Sequence, residues 1–174
     1  MITFIYGSSS SGKSAYGEER IQGLNHENKY YLATMEAYDK ESIKRIERHR
    51  LLRKDKGFET IECPRNIREI IPEIKEDSCL LLECLSNLLA NEMFVDDKPG
   101  DYLLCANKIV EDILSLASRV EDLVIVSNNI FEDGLRYEKP TQDYMRALGL
   151  INSRICQDAD EVYEVVVGIP VRIK

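Results

Sequence analysis

The chain has no hydrophobic run near the roughly 18 residues that a membrane-spanning helix needs, so no membrane span is expected. It has no excess of positive charge either. The net charge is −8 at pH 7, which argues against a general nucleic-acid binder, because that function needs a basic surface. No basic stretch precedes the first apolar segment, so no signal peptide is expected. The five cysteines, Cys63, Cys79, Cys84, Cys105 and Cys156, contain no C-x-x-C pair and are odd in number. That excludes a zinc site or disulfide framework as an expectation and leaves reduced thiols in a cytoplasmic protein. There is no G-x-S-x-G, and Ser, His and Asp fall in no hydrolase spacing. No internal repeat or low-complexity tract is present beyond four consecutive serines.

Those serines lie inside the most informative stretch, Gly7-Ser8-Ser9-Ser10-Ser11-Gly12-Lys13-Ser14. It fits G-x-x-x-x-G-K-[ST], the phosphate-binding P-loop. The glycines let the loop turn backbone N–H groups inward around phosphate oxygens. Lys13 would reach the β- and γ-phosphates, and the Ser14 hydroxyl would ligate Mg2+. Context supports the motif, because Ile2–Tyr6 reads as a short buried strand and Ser14–Leu24 as a helix.

With 174 residues, 44% of them hydrophobic and 31% charged, the chain is expected to form a single globular domain over 1–174. Strands are expected at Lys29–Ala33, Gly57–Glu62, Ser78–Glu83 and Asp122–Asn128. Between them, Asp39 would cap a helix running to about Lys54, and Pro64 would open a shorter one. A further helix should follow the Ser78–Glu83 strand and run to about Phe94, another from Asp101 to about Arg119. Asp96 to Gly100 reads as a loop. Pro140 should start the last helix, ending near Asp158. Glu161–Val167 and Val171–Lys174 would then form an antiparallel hairpin around a turn at Gly168-Ile169-Pro170. Alternating strands and helices predict an α/β fold with a mostly parallel sheet covered on both faces.

In such sheets ligands bind at the carboxyl ends of the strands. That draws attention to Ala33, Thr34 and Met35 after the second strand, to Glu62 after the third, and to Glu83 after the fourth. Glu83 follows Leu80-Leu81-Leu82, where P-loop proteins place an acid that holds Mg2+. It is equally an acid at a helix N-terminus, favoured by the dipole. The helix after Asp39 is basic in an acidic protein: Lys40 to Lys56 holds eight basic and three acidic residues, a local charge of +5. Arg45, His49 and Arg53 are four apart and share a face. Local sequence leaves two readings of His49 open. It is a neutral imidazole nucleophile beside nucleotide phosphates, or an incidental histidine on a solvated basic face. His26, in Asn25-His26-Glu27-Asn28, reads as a surface loop residue.

Several segments together resemble one family. They are the P-loop, Leu32-Ala33-Thr34, Arg45-Ile46-Glu47-Arg48-His49-Arg50, Thr60-Ile61-Glu62, Leu81-Leu82-Glu83-Cys84-Leu85 and Val126-Ser127-Asn128. The last is the ending from Ala159-Asp160-Glu161-Val162-Tyr163 through Val167-Gly168-Ile169-Pro170-Val171-Arg172-Ile173-Lys174. In order and spacing they look like the bifunctional adenosylcobinamide kinase/adenosylcobinamide-phosphate guanylyltransferases of cobalamin biosynthesis. The resemblance implies a P-loop NTPase with a RecA-like sheet, assembled as a homotrimer. It implies phosphorylation of the corrinoid adenosylcobinamide by ATP or GTP, then GMP transfer from GTP through a GMP-histidine intermediate at His49. Nucleotide contacts would fall on Gly7, Ser8, Ser9, Ser10, Ser11, Gly12, Lys13, Ser14, Ala33, Thr34, Met35, Arg50, Leu51, Leu52, Arg53, Glu62 and Glu83, with Lys13 catalytic beside His49 and Mg2+ on Ser14 and Glu83. The chain departs from the family at Met35, in the interior of Arg50-Leu51-Leu52-Arg53, and from Asn129 to Tyr137. These departures keep open a P-loop kinase for another small alcohol, or a nucleotide-binding regulatory module.

Overall fold

The computed structural model describes residues 1–37, 40–54, 56–95 and 98–174, with the side chains of Lys40, Glu41, Arg45, His49, Leu52, Arg53 and Lys98 outside that description. In chain order the elements are β1 (Ile2–Tyr6), α1 (Lys13–Gln22), β2 (Asn28–Ala33), α2 (Lys40–Arg53), β3 (Glu59–Glu62), a 3₁₀ helix (Ile67–Glu73), β4 (Ser78–Glu83) and α3 (Leu85–Met93). Then come β5 (Phe94–Val95), β6 (Lys98–Pro99), α4 (Tyr102–Ala117), β7 (Asp122–Val126), α5 (Lys139–Asp158), β8 (Glu161–Val166) and β9 (Ile169–Arg172).

Seven strands form one sheet in the order β3-β2-β4-β7-β1-β8-β9. Neighbouring strands from β3 to β8 pair in parallel, and only β9 runs antiparallel, against β8. The expected α/β architecture with its terminal hairpin is therefore present. Strand alternation sends side chains to opposite faces. Phe4, Leu32, Leu80, Leu82 and Ile125 join the larger core under α3, α4 and α5. Ile5, Tyr31, Leu81, Val124 and Val126 join the smaller one under α1. Burying one such leucine or isoleucine contributes about 1.5–3 kcal/mol. The two-sided burial explains why Cys79-Leu80-Leu81-Leu82 reads as a continuous apolar run.

The expected cap at Asp101 is made: its carboxylate accepts from the Leu103 and Leu104 N–H groups, both at 2.9 Å. Other boundaries differ. Pro64 does not open a helix. The chain stays irregular until Asn66, at φ 52, and the segment beyond coils as a 3₁₀ helix with Pro72 inside it, which interrupts α-helical hydrogen bonding. Phe94–Val95 and Lys98–Pro99 pair as a small antiparallel ribbon, where a helix ending near Phe94 and a loop from Asp96 to Gly100 were expected. Asp39, expected as a cap, and Asp96 and Asp97, expected in that loop, lie outside the described residues. The C-terminal turn is Val167–Gly168, and Pro170 sits in β9, tolerated because β9 is an edge strand.

His26 is not a simple surface residue. Its side chain is only 10% exposed, and Nε2 lies 2.8 Å from Asp122 Oδ2. Nδ1 lies 3.5 Å from Asp77 and 3.7 Å from Glu121. This nest sits at the amino ends of β4 and β7, the sheet end opposite the P-loop. Among the described residues no helix is long and apolar enough to cross a membrane. All five cysteines are free thiols.

Candidate functional site

The loop joining β1 to α1 sits at the carboxyl edge of the parallel strands. Gly12 immediately precedes α1 with φ 95, a conformation that a Cβ disfavours. Gly7 is required for space, since a Cβ there would lie 2.6 Å from the Val165 carbonyl oxygen. Two loop carbonyls are tied outward by backbone donors: Gly7 O accepts from Asn129 N and Ser11 O from Gly168 N, both at 2.8 Å. The Ser11 hydroxyl is buried and makes no hydrogen bond.

Lys13 opens α1, and its side chain is almost wholly buried. Its Nζ donates to the Ser8 carbonyl at 3.0 Å. Burial lowers its pKa from the ordinary 10.5, while the Cys84 and Glu83 side chains oppose that shift. An ammonium held in such a place, with a carbonyl as partner, is primed for an anion. The orphaned Ser11 hydroxyl and the Gly12 turn fit the same conclusion, and Ser14, half-buried in the first turn of α1, offers a hydroxyl oxygen of the kind hard cations take.

Glu83 ends β4 across from Ala33 of β2. Its Oε2 accepts from the Tyr31 hydroxyl at 2.6 Å, and Tyr31 packs edge-on against Phe58. Ala33, Met35, Glu62 and Glu83 line one cleft together with Tyr31, Ile46, Cys84 and Asn87. Arg50 reaches from α2 to Glu62: Nε donates to Oε1 at 2.9 Å, and Nη2 donates to the same oxygen. The basic helix thus closes the far wall of the cleft.

Some expected contacts sit elsewhere. The Thr34 side chain is fully buried. Its hydroxyl donates to the Cys84 carbonyl at 2.8 Å, and its N–H to the Glu83 carbonyl at 3.0 Å. It latches the ends of β2 and β4 and does not face the cleft. Leu51 is exposed. Ser8 lines a second cavity with Asn129, Ile130, Glu132, Asp133 and Tyr137. The side chains of His49, Leu52 and Arg53 lie outside the described residues, and the backbone of each is part of α2. Sequence reasoning missed Tyr31 and Gly168. Tyr31 carried a signal, because alternation along β2 turns it to the face opposite Tyr30 and Leu32.

A phosphate loop at the carboxyl ends of parallel strands, with an acid at the end of β4, one strand removed from β1 across β7, defines a P-loop NTPase fold. Solved structures agree at the level of fold. An ATPase from the type III secretion system of pathogenic bacteria superposes with a TM-score of 0.52 at 10% identity, covering 98% of this chain and 56% of that one. The flagellar accessory protein FlaH of Methanocaldococcus jannaschii superposes with a TM-score of 0.50 at 14% identity, over 99% and 77%.

The sequence narrows this class further. The family described as cobinamide kinase / cobinamide phosphate guanyltransferase matches residues 3–173, and the chain belongs to it. It is therefore a member of a transferase family of adenosylcobalamin biosynthesis. The bifunctional adenosylcobalamin biosynthesis protein CobU of Salmonella typhimurium is 28% identical over 184 residues, covering 100% of both chains. The corresponding CobU of Escherichia coli is also 28% identical over 184 residues. CobP of Pseudomonas aeruginosa is 27% identical over 175 residues, covering 100% of this chain and 98% of that one.

Proposed function

We propose that the chain carries out both transfers of its family. It first phosphorylates the aminopropanol hydroxyl of adenosylcobinamide with ATP or GTP, then transfers GMP from GTP to that phosphate. The observation that carries this reading is the buried Lys13 at the start of α1, its Nζ on the loop carbonyl of Ser8, with Glu83 and Ile46 of the basic helix α2 lining a cleft at the ends of β2 and β4.

In the first transfer the substrate hydroxyl oxygen attacks the γ-phosphorus, the bond to the leaving nucleoside diphosphate breaks, and the hydroxyl proton passes to solvent. Lys13 and the loop amides stabilise charge on the transferring group, so catalysis is positioning and electrostatics. Ser14 and Glu83 would hold Mg2+, which neutralises charge spread over the phosphate oxygens when bound. In the second transfer a ring nitrogen of His49 attacks the α-phosphorus of GTP and pyrophosphate leaves. An oxygen of the substrate phosphate then attacks the phosphorus of the GMP-histidine and frees the imidazole. Dividing one displacement into two easier ones is the gain of covalent catalysis.

Assembly as a homotrimer fits the exposed apolar residues Ile169, Val171 and Ile173 at the edge of the sheet. Incubation with GTP labelled at the α-phosphate tests the central claim. Acid-labile label on the wild type, absent from His49→Ala, supports it. No label on the wild type with any substrate present sinks the second transfer.

A further inference from the structure

The β8–β9 hairpin is joined by two residues, since Val166 pairs with Ile169. Both turn residues have positive φ, 48 at Val167 and 82 at Gly168, the signature of a type I′ turn. This turn lies against the phosphate loop. The Gly168 N–H donates to the Ser11 carbonyl at 2.8 Å. A Cβ on Gly12 would lie 3.2 Å from Gly168 Cα, and a Cβ on Gly7 would lie 2.6 Å from the Val165 carbonyl. Loop and hairpin are therefore joined by one backbone hydrogen bond, and at Gly7 and Gly12 the hairpin lies too close for a side chain on the loop.

The consequence follows from peptide geometry. In a planar trans peptide the C=O and the N–H point to opposite sides. Holding the Ser11 carbonyl toward the hairpin turns the Gly12 N–H away from it. That N–H belongs to the residue just before Lys13, where backbone donors meet an anion at a helix start. Without the anchor, the Ser11–Gly12 peptide is free to flip, and Gly12 at φ 95 lies in a region where glycine turns over readily.

We infer that Gly168 walls the phosphate loop from outside and is a positioning residue for nucleotide binding through its N–H. The inference rests on the nucleotide reading above. It assigns a role to the chain's ending that chemistry at the cleft does not require by itself.

The test is titration of the intact chain with GTP and Mg2+, alongside thermal unfolding of the nucleotide-free protein. Gly168→Val places a branched side chain at strongly positive φ and redraws the turn. Val167→Asn suits positive φ and keeps the Gly168 N–H. A third chain carries an ester in place of the Val167–Gly168 amide. It is made by joining residues 1–155 to a synthetic 156–174 segment at the native Cys156. The expected results are at least tenfold weaker GTP binding for Gly168→Val, roughly fivefold for the ester chain, and affinity within twofold of wild type for Val167→Asn. GTP binding within twofold of wild type by a folded Gly168→Val protein, or by the ester chain, overturns the inference. If Gly168→Val does not fold, the ester chain decides, because it removes one donor and adds no side chain. A wild type that binds neither GTP nor ATP instead overturns the functional reading itself.

Discussion

The Tyr31 hydroxyl donates to Glu83 Oε2 at 2.6 Å, from one parallel strand to its neighbour. Tyr31 is buried on the sheet face under α1, so its ring is fixed and the carboxylate it holds is aimed. A hydrogen bond to a charged group contributes about 1.5–3 kcal/mol. Tyr31→Phe is expected to lower the phosphorylation rate at saturating nucleotide by roughly tenfold or more. The KM for nucleotide should change little, since the loop is untouched. Steady-state kinetics read the split, and an unchanged kcat would remove Tyr31 from the site.

Lys13 carries a different trade. Its pKa is lowered by burial, so the folded state binds the proton less tightly than the unfolded one. The sign follows: at neutral pH the buried ammonium opposes folding, and stability rises as pH passes from the folded pKa toward 10.5. Lys13→Met should therefore lose nucleotide binding by about 100-fold or more, the loss expected for a charged contact with phosphate. The nucleotide-free protein should meanwhile unfold at the same temperature as wild type or higher. Paired titration and thermal melts check this, and a marked fall in the melting temperature would contradict it.

The two proposed transfers use different nucleophiles, which makes them separable. His49→Ala should abolish GMP transfer and the acid-labile adduct while leaving phosphorylation of the cobinamide within about threefold of wild type, because no group in the first displacement is removed. Product analysis with labelled ATP and GTP distinguishes the two. Loss of both activities in a folded variant would place His49 in nucleotide binding and not in covalent chemistry.

Much of this fold is readable because its determinants are local. Ser78–Glu83 is apolar on both faces, and the P-loop joins a strand to a helix where the motif requires. Asp101 caps α4 within three residues of itself. What escaped the sequence depends on partners far along the chain. Tyr31 meets Glu83 across 52 positions, and His26 meets Asp122 across 96. Gly168 reaches Ser11 only once the sheet has brought β8 beside β1. Pro64 misled for a different reason: proline is compatible with a first helical turn but does not dictate one, and Asn66 redirects the chain two residues later.

At the other end of the sheet, His26 should mark the pH dependence of stability. Its hydrogen bond to Asp122 raises its pKa above the usual 6.5; burial opposes that, and Asp77 and Glu121 add to the rise. The N-terminal amine also lies 3.7 Å from Asp122 Oδ1. A raised folded-state pKa means that the stabilisation is fully present below pH 6.5 and is lost as pH climbs through the folded value. His26→Gln should thus be most destabilising at about pH 5.5–6.5, relative to wild type, and the difference should shrink on the alkaline side. Denaturant melts at a series of pH values give the curve. A difference independent of pH would mean that the ring contributes by packing alone.

The β8–β9 hairpin carries backbone strain at its turn. Val167 is 87% exposed and holds φ 48, so it gains little from burial while its branched Cβ crowds the backbone. A non-glycine residue in this region costs roughly 1–2 kcal/mol, and asparagine tolerates it best. Val167→Asn also supplies the Asn-Gly pair that two-residue hairpins favour. The variant should raise the denaturation midpoint by the equivalent of roughly 1 kcal/mol with an unchanged denaturant slope. No gain would mean that the turn relaxes away from positive φ. Gly168 would then no longer point at Ser11, and the proposed wall of the phosphate loop would lose its geometric basis.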